Sequence, residues 1–87
     1  MKLLKFEAPW CGACKGQTAL FEATPVEGAE LVSVNVDDEE NQPLVNRYQV
    51  MSLPTMVLVD DENNYRKWVG TTPVKDINQY IESLSKI

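Results

Sequence analysis

Between Lys2 and Val36 the chain spells a strand, a helix and a second strand, and nothing constrains its fold more tightly. Residues 2–7 alternate loosely and carry Leu3, Leu4 and Phe6, which suits a short strand. Leu31-Val32-Ser33-Val34-Asn35-Val36 is β-branched and alternating, hence a second strand. From Gly12 to Thr24 helix formers dominate, with Leu20 and Phe21 expected on the buried face and Gly16 the weak point. Pro25 and Gly28 then break the run. Two strands joined by one helix form a βαβ unit, so they should lie parallel with a right-handed crossover, which makes the chain an α/β protein.

Downstream, Asp37-Asp38-Glu39-Glu40 reads as a solvated acidic loop leading into a short helix over Asn41–Tyr48. The apolar run Met56-Val57-Leu58-Val59 has the character of a central, buried strand. Asp60–Asn64 is turn chemistry, Tyr65–Val69 pairs back as a hairpin strand, and Gly70 ends it. Thr72-Pro73 should start the last helix, with a capping hydroxyl and proline at the first helical position. There Val74, Ile77, Ile81 and Leu84 recur at spacings of three and four, one stripe for the sheet. The order is β-α-β-(α)-β-β-α, without repeats, low-complexity tracts or linkers, and the 87 residues suit one domain spanning 1–87.

The joint between the first strand and the first helix, Trp10-Cys11-Gly12-Ala13-Cys14-Lys15, holds both cysteines. A two-residue spacer lets two side chains meet in the first turn of a helix. Unpaired N–H groups and a partial positive charge at that end stabilise a thiolate. The exposed cysteine of the pair is thereby a nucleophile near neutral pH, and the other can attack the mixed disulfide from within the same molecule. Spacing and position together indicate dithiol redox chemistry.

Charge and leader signals narrow the setting. Eight basic against thirteen acidic side chains give a net charge of −5, and with no Lys/Arg cluster to offset it a nucleic-acid ligand is not expected. The segment Met1–Glu7 has no long apolar core and no small-residue cleavage site, and no window approaches a membrane span. The expected compartment is the cytoplasm, where a lone cysteine pair is catalytic or metal-binding more often than structural.

Trp-Cys-Gly-x-Cys-Lys after a strand, followed some 40 residues later by Leu53-Pro54-Thr55 opening another strand, resembles the thioredoxin family over nearly the whole chain. Phe6, Trp10, Cys11, Gly12, Cys14 and Lys15 match its first signature; Asn35 and Asp37 match the end of its next strand. Tyr48, Pro54, Thr55 and Gly70 match its later positions. The resemblance implies that Cys11 is the exposed attacking thiolate, Cys14 the shielded resolving thiol, and Leu53–Pro54 a cis peptide facing the disulfide. It implies protein disulfide substrates, with ribonucleotide reductase a plausible client. It also implies recycling by an NADPH-dependent flavoenzyme, thioredoxin reductase, and a monomer with no metal or bound organic cofactor. Trp10, Gly12, Ala13, Leu53, Pro54, Val69 and Gly70 would form the docking surface. Trp68, on the hairpin strand, is assigned a structural role.

Four departures from that pattern carry information. The family generally has an extra strand and helix before the motif; Cys11 here follows only ten residues. A trimmed core is therefore expected, a four-stranded mixed sheet of order 2-1-3-4 with helices on both faces. Ala13 replaces the usual proline between the cysteines, so the motif does not define the reduction potential. Ala19 replaces the family's helix proline, which should weaken or remove its kink. Most informative is Lys5, six positions before Cys11, where thioredoxins typically bury an aspartate. Its ammonium either favours the Cys14 thiolate, or snorkels to solvent or pairs with a carboxylate. Lys15 either adds positive potential near the thiolate or is a solvated helix residue.

Three rival readings remain at this point. A glutaredoxin-like protein would use glutathione as donor, but the single Gly70 and the tryptophan before Cys11 argue against it. A thiolate metal-binding module has only two cysteines and no histidine, half of a tetrahedral zinc site. A non-catalytic interaction domain would keep the pair as a structural disulfide.

Overall fold

The computed structural model describes residues 1–84; residues 85–87, the end of the expected domain, lie outside the described residues. Its elements are β1 (Lys2–Glu7), α1 (Gly12–Ala23), β2 (Glu30–Asn35), a 3₁₀ turn (Glu39–Asn41) and α2 (Gln42–Arg47). They continue with β3 (Thr55–Val59), β4 (Tyr65–Val69) and α3 (Val74–Leu84). The sheet order is β2-β1-β3-β4, with β1 parallel to β2 and antiparallel to β3, and β4 antiparallel to β3. This is the expected 2-1-3-4 mixed sheet. Burial follows strand position. Leu3 to Phe6 of β1 and Thr55 to Leu58 of β3 are buried throughout, whereas edge strand β2 buries only Val34. A strand covered on both faces reads as a continuous apolar run, and one at the edge alternates.

Each face of the sheet has its own core. On one, Leu3, Met56 and Leu58 pack with Phe21 of α1 and with Val74, Ile77 and Ile81 of α3. On the other, Leu4, Phe6, Val34 and Val57 pack with Tyr48, with Leu44 and Val45 of α2 at the margin. Trp68 joins the first core, edge-on to Tyr80 with 5.6 Å between ring centroids, and Arg66 lies over both rings. That agrees with the structural role assigned to it.

The structure departs from the local sequence pattern at three places. Leu20 is exposed, because the buried stripe of α1 is Cys14, Gln17 and Phe21, a three-four spacing that leaves Leu20 at its rim. The short helix is narrower than Asn41–Tyr48, since residues 39–41 wind as a 3₁₀ turn and the α-helix spans only Gln42–Arg47. Helix α3 starts at Val74, and the Thr72 hydroxyl donates to Gly70 O (3.0 Å), two residues back, which takes up the group expected to cap the helix.

Strand register decides what meets at one end of the sheet. Phe6 pairs with Val34 and with Thr55, and Thr55 pairs with Val69. The cysteine segment leaves β1 at that end, Leu53-Pro54 enters β3 there, and Gly70 leaves β4 there. Three loops far apart in sequence therefore converge.

Candidate active site

Cys11 is the residue preceding α1, in extended conformation, and its Sγ accepts the Cys14 backbone N–H at 3.1 Å. An Ala8 carbonyl holds the Cys11 N–H at 3.1 Å, so the sulfur is fixed at the helix entrance from both sides. Serine, threonine or aspartate would ordinarily supply the capping acceptor; here a sulfur does it. On reduction, that N–H and the helix dipole stabilise negative charge on Cys11. Cys11 and Cys14 are joined as a disulfide, with 5.3 Å between their Cα atoms.

Both cysteines are buried, Cys11 at 7% and Cys14 at 2% relative exposure. The expected order of accessibility holds, but Cys11 is not openly exposed. It lies in an apolar nest of Ala8 and Cys14, with Val36 and Leu53 packed against them. In the disulfide form only a narrow face of the pair reaches solvent.

Around that face stand the residues expected to dock a partner. Trp10 is 69% exposed and its indole N–H donates to Asp37 Oδ2 at 3.0 Å, which holds the ring at the rim. Gly12 and Ala13 are exposed in the first turn of α1, and a Cβ built on Gly12 would meet nothing within 4 Å. The chain's own packing thus does not require glycine there; the open space is available to a partner. Leu53–Pro54 is a cis peptide, Leu53 is half-buried against the cysteines, and Pro54 is buried. Gly70 has φ +86, a left-handed conformation that strains any side chain, and its N–H donates to Pro54 O at 2.8 Å. Val69 beside it is 62% exposed. Met51, not singled out in the sequence, is 93% exposed two residues before Leu53; an apolar residue in a polar loop just ahead of Pro54 was the available signal.

Behind the disulfide, Lys5 is buried at 3% exposure, so it does not snorkel to solvent. Its ammonium donates to the Glu7 carboxylate and to Thr18 Oγ1, and the Thr18 hydroxyl donates to the Cys14 carbonyl at 3.1 Å. Pairing with a carboxylate, one of the two readings left open, is therefore observed. A cleft of about 260 Å³ opens beside Cys14, lined among others by Glu7, Lys15, Thr18 and Asn35. Glu7 follows Lys5 by two positions, hence on the same strand face with opposite charge, a pattern visible in the sequence.

A disulfide three residues apart at a helix entrance, with Leu53 of a cis Leu53–Pro54 peptide packed against it at the end of a mixed sheet, defines a dithiol–disulfide exchange domain. The family model for thioredoxin matches residues 1–83. Thioredoxin of Bacillus subtilis (strain 168) is 35% identical over 80 residues, covering 91% of this chain and 77% of that protein. Thioredoxin of Chlamydia trachomatis serovar D is 33% identical over 84 residues, covering 97% and 79%. Among solved structures, a mutant thioredoxin from Halobacterium salinarum NRC-1 superposes with a TM-score of 0.80 at 31% identity, covering 98% of this chain and 74% of that one. The chain belongs to the thioredoxin family and is a thiol–disulfide oxidoreductase. Protein disulfides as substrates, and reductases as partners, follow from that membership. No helix among the described residues is long and apolar enough to cross a membrane.

Proposed function

We propose that Cys11 is the attacking thiolate and Cys14 the resolving thiol of a protein-disulfide reductase. The observation that carries this is the Cys14 N–H bonded to Cys11 Sγ at the mouth of α1, with Cys14 the less exposed residue of the two. In the reductive direction the Cys11 thiolate attacks one sulfur of a substrate disulfide. An S–S bond forms to Cys11 as the substrate S–S bond breaks, and the first substrate sulfur leaves as a thiolate. Cys14 then gives up its proton and attacks Cys11 Sγ. The Cys11–Cys14 disulfide closes, the second substrate sulfur leaves, and two electrons have passed to the substrate.

An extended segment of the substrate lies across Leu53, Pro54, Val69 and Gly70, with Trp10, Gly12 and Ala13 forming the opposite lip. Proline at 54 has no N–H of its own, which leaves the neighbouring backbone to pair with that segment. An NADPH-dependent thioredoxin reductase regenerates the dithiol, ribonucleotide reductase is one client, and the protein works as a monomer in a reducing compartment such as the cytoplasm. Lys15, exposed in the first turn of α1 and lining the cleft beside Cys14, adds positive potential there. Lys5 acts on Cys14 indirectly, through Thr18 and Glu7, and is a positioning residue.

Turnover of a protein disulfide with NADPH and thioredoxin reductase, run beside glutathione and its reductase, tests the electron donor. Rapid turnover in the first and slow turnover in the second is expected; the reverse would make the chain glutaredoxin-like in use. Following mixed-disulfide resolution against pH in Lys5→Met tests the indirect role. A displaced profile is expected, and an unchanged one removes Lys5 from the mechanism.

A further inference from the structure

Gln17 is the one polar member of the buried stripe of α1, placed one turn beyond Cys14, and it is fully buried. A buried amide must find partners or cost stability. This one finds two on a single residue 55 positions away. Its Oε1 accepts the Thr72 N–H at 2.8 Å and its Nε2 donates to the Thr72 carbonyl at 3.0 Å. The side chain thus pairs with Thr72 as a neighbouring strand would. Thr72 is itself buried at 7% exposure, and its hydroxyl donates to Gly70 O. Gly70 in turn donates its N–H to Pro54 O. The bonds run unbroken from α1 through Gln17, Thr72 and Gly70 to Pro54.

We propose that Gln17 is a positioning residue for protein substrates, setting the gap between the Val69–Gly70 lip and the two sulfurs. The same rigid helix carries the cysteines at its first turn and Gln17 at its second, so the clamp references the lip directly to the dithiol. Apolar packing alone would leave the segment after β4 free to slide, because contacts of that kind have no direction. Two parallel hydrogen bonds to one backbone unit have a direction and a register. This inference rests on the docking surface proposed above.

Steady-state kinetics on the full chain test it, with a protein disulfide and with a small aromatic disulfide as substrates. Gln17→Met keeps the volume and removes both bonds, leaving the Thr72 N–H and carbonyl buried without partners. KM for the protein disulfide should rise by about tenfold, within the range set by losing such partners, with a smaller change in kcat. The ratio of protein-disulfide to small-disulfide turnover should fall, and hydrogen exchange at the Gly70 and Thr72 amides should quicken. Thr72→Val, which keeps the backbone bonds and removes only the hydroxyl link, should move KM in the same direction by a smaller factor; it serves also if Gln17→Met does not fold. Equal loss toward both substrates, or an unchanged KM in either folded variant, overturns the proposal. Val69→Asp in the otherwise unaltered chain separates the two readings. If it leaves KM for the protein disulfide unmoved, the docking surface is wrong; if it raises KM and the Gln17 and Thr72 variants do not, only the clamp is wrong.

Discussion

The two faces of the sheet are filled with different materials. On the α2 side the core is Leu4, Phe6, Val34 and Val57, with Tyr48 edge-on to Phe6 at 6.4 Å between centroids, and its buried polar residue, Thr55, bonds only locally, to Ser52 O. On the α1 side the apolar residues share the interior with Lys5 and Gln17, both buried beneath the cysteine helix. Each of these answers a polar group with a named partner, and no buried side-chain nitrogen or oxygen among the described residues lacks one. The difference teaches where this molecule keeps cohesion and where it keeps geometry. Apolar contact is strong but undirected, whereas hydrogen bonds and ion pairs are weaker in net terms and hold angles and distances. Beneath the helix that carries the cysteines, Lys5 and Gln17 supply directional contacts, to Thr18 and to Thr72.

Substitutions on the two faces should therefore separate stability from function. Phe6→Ala removes a fully buried ring from the apolar face and should cost about 3–5 kcal/mol in a denaturant titration. Specific activity of the folded fraction should change little; a comparable loss of activity would break the distinction between faces. Glu7→Leu comes next. It leaves the Lys5 ammonium buried with Thr18 but no carboxylate, and should cost about 3 kcal/mol. Lys5→Met should cost far less, within about 1 kcal/mol, because Glu7 is more exposed (27% of its side chain) and turns to water. Equal costs for the two would mean the pair is not the asymmetric arrangement seen here. Smallest is Arg66→Gln, which withdraws a cation from the faces of Trp68 and Tyr80 and should lower stability by about 0.5–1 kcal/mol with no effect on turnover.

Legibility in the sequence followed the same division. The strands and helices of the apolar pattern were readable because burial has a period: two in β2, three and four in α3, a continuous run in β3. The disulfide and its place at a helix entrance were readable from spacing, and resemblance pointed to Leu53–Pro54 and Gly70 in the loops that meet it. Gln17 was not, because a glutamine among helix formers looks solvated until the chain brings Thr72 beside it from 55 positions away. Leu20 misled for the complementary reason, since the stripe that Gln17 completes turns Leu20 outward. Glu7 and Thr18 became meaningful only once Lys5 was seen to be buried between them. Contacts between distant polar residues have no periodic signature.

The central claim is that Cys11 carries out the attack and Cys14 the release. Trapping tests it most directly: Cys14→Ser and Cys11→Ser are each reduced, mixed with a protein disulfide, quenched in acid and examined by mass spectrometry. The account predicts that Cys14→Ser accumulates a covalent adduct through Cys11, while Cys11→Ser accumulates essentially none and turns over no substrate. An adduct forming through Cys14 in Cys11→Ser at a comparable rate would contradict it.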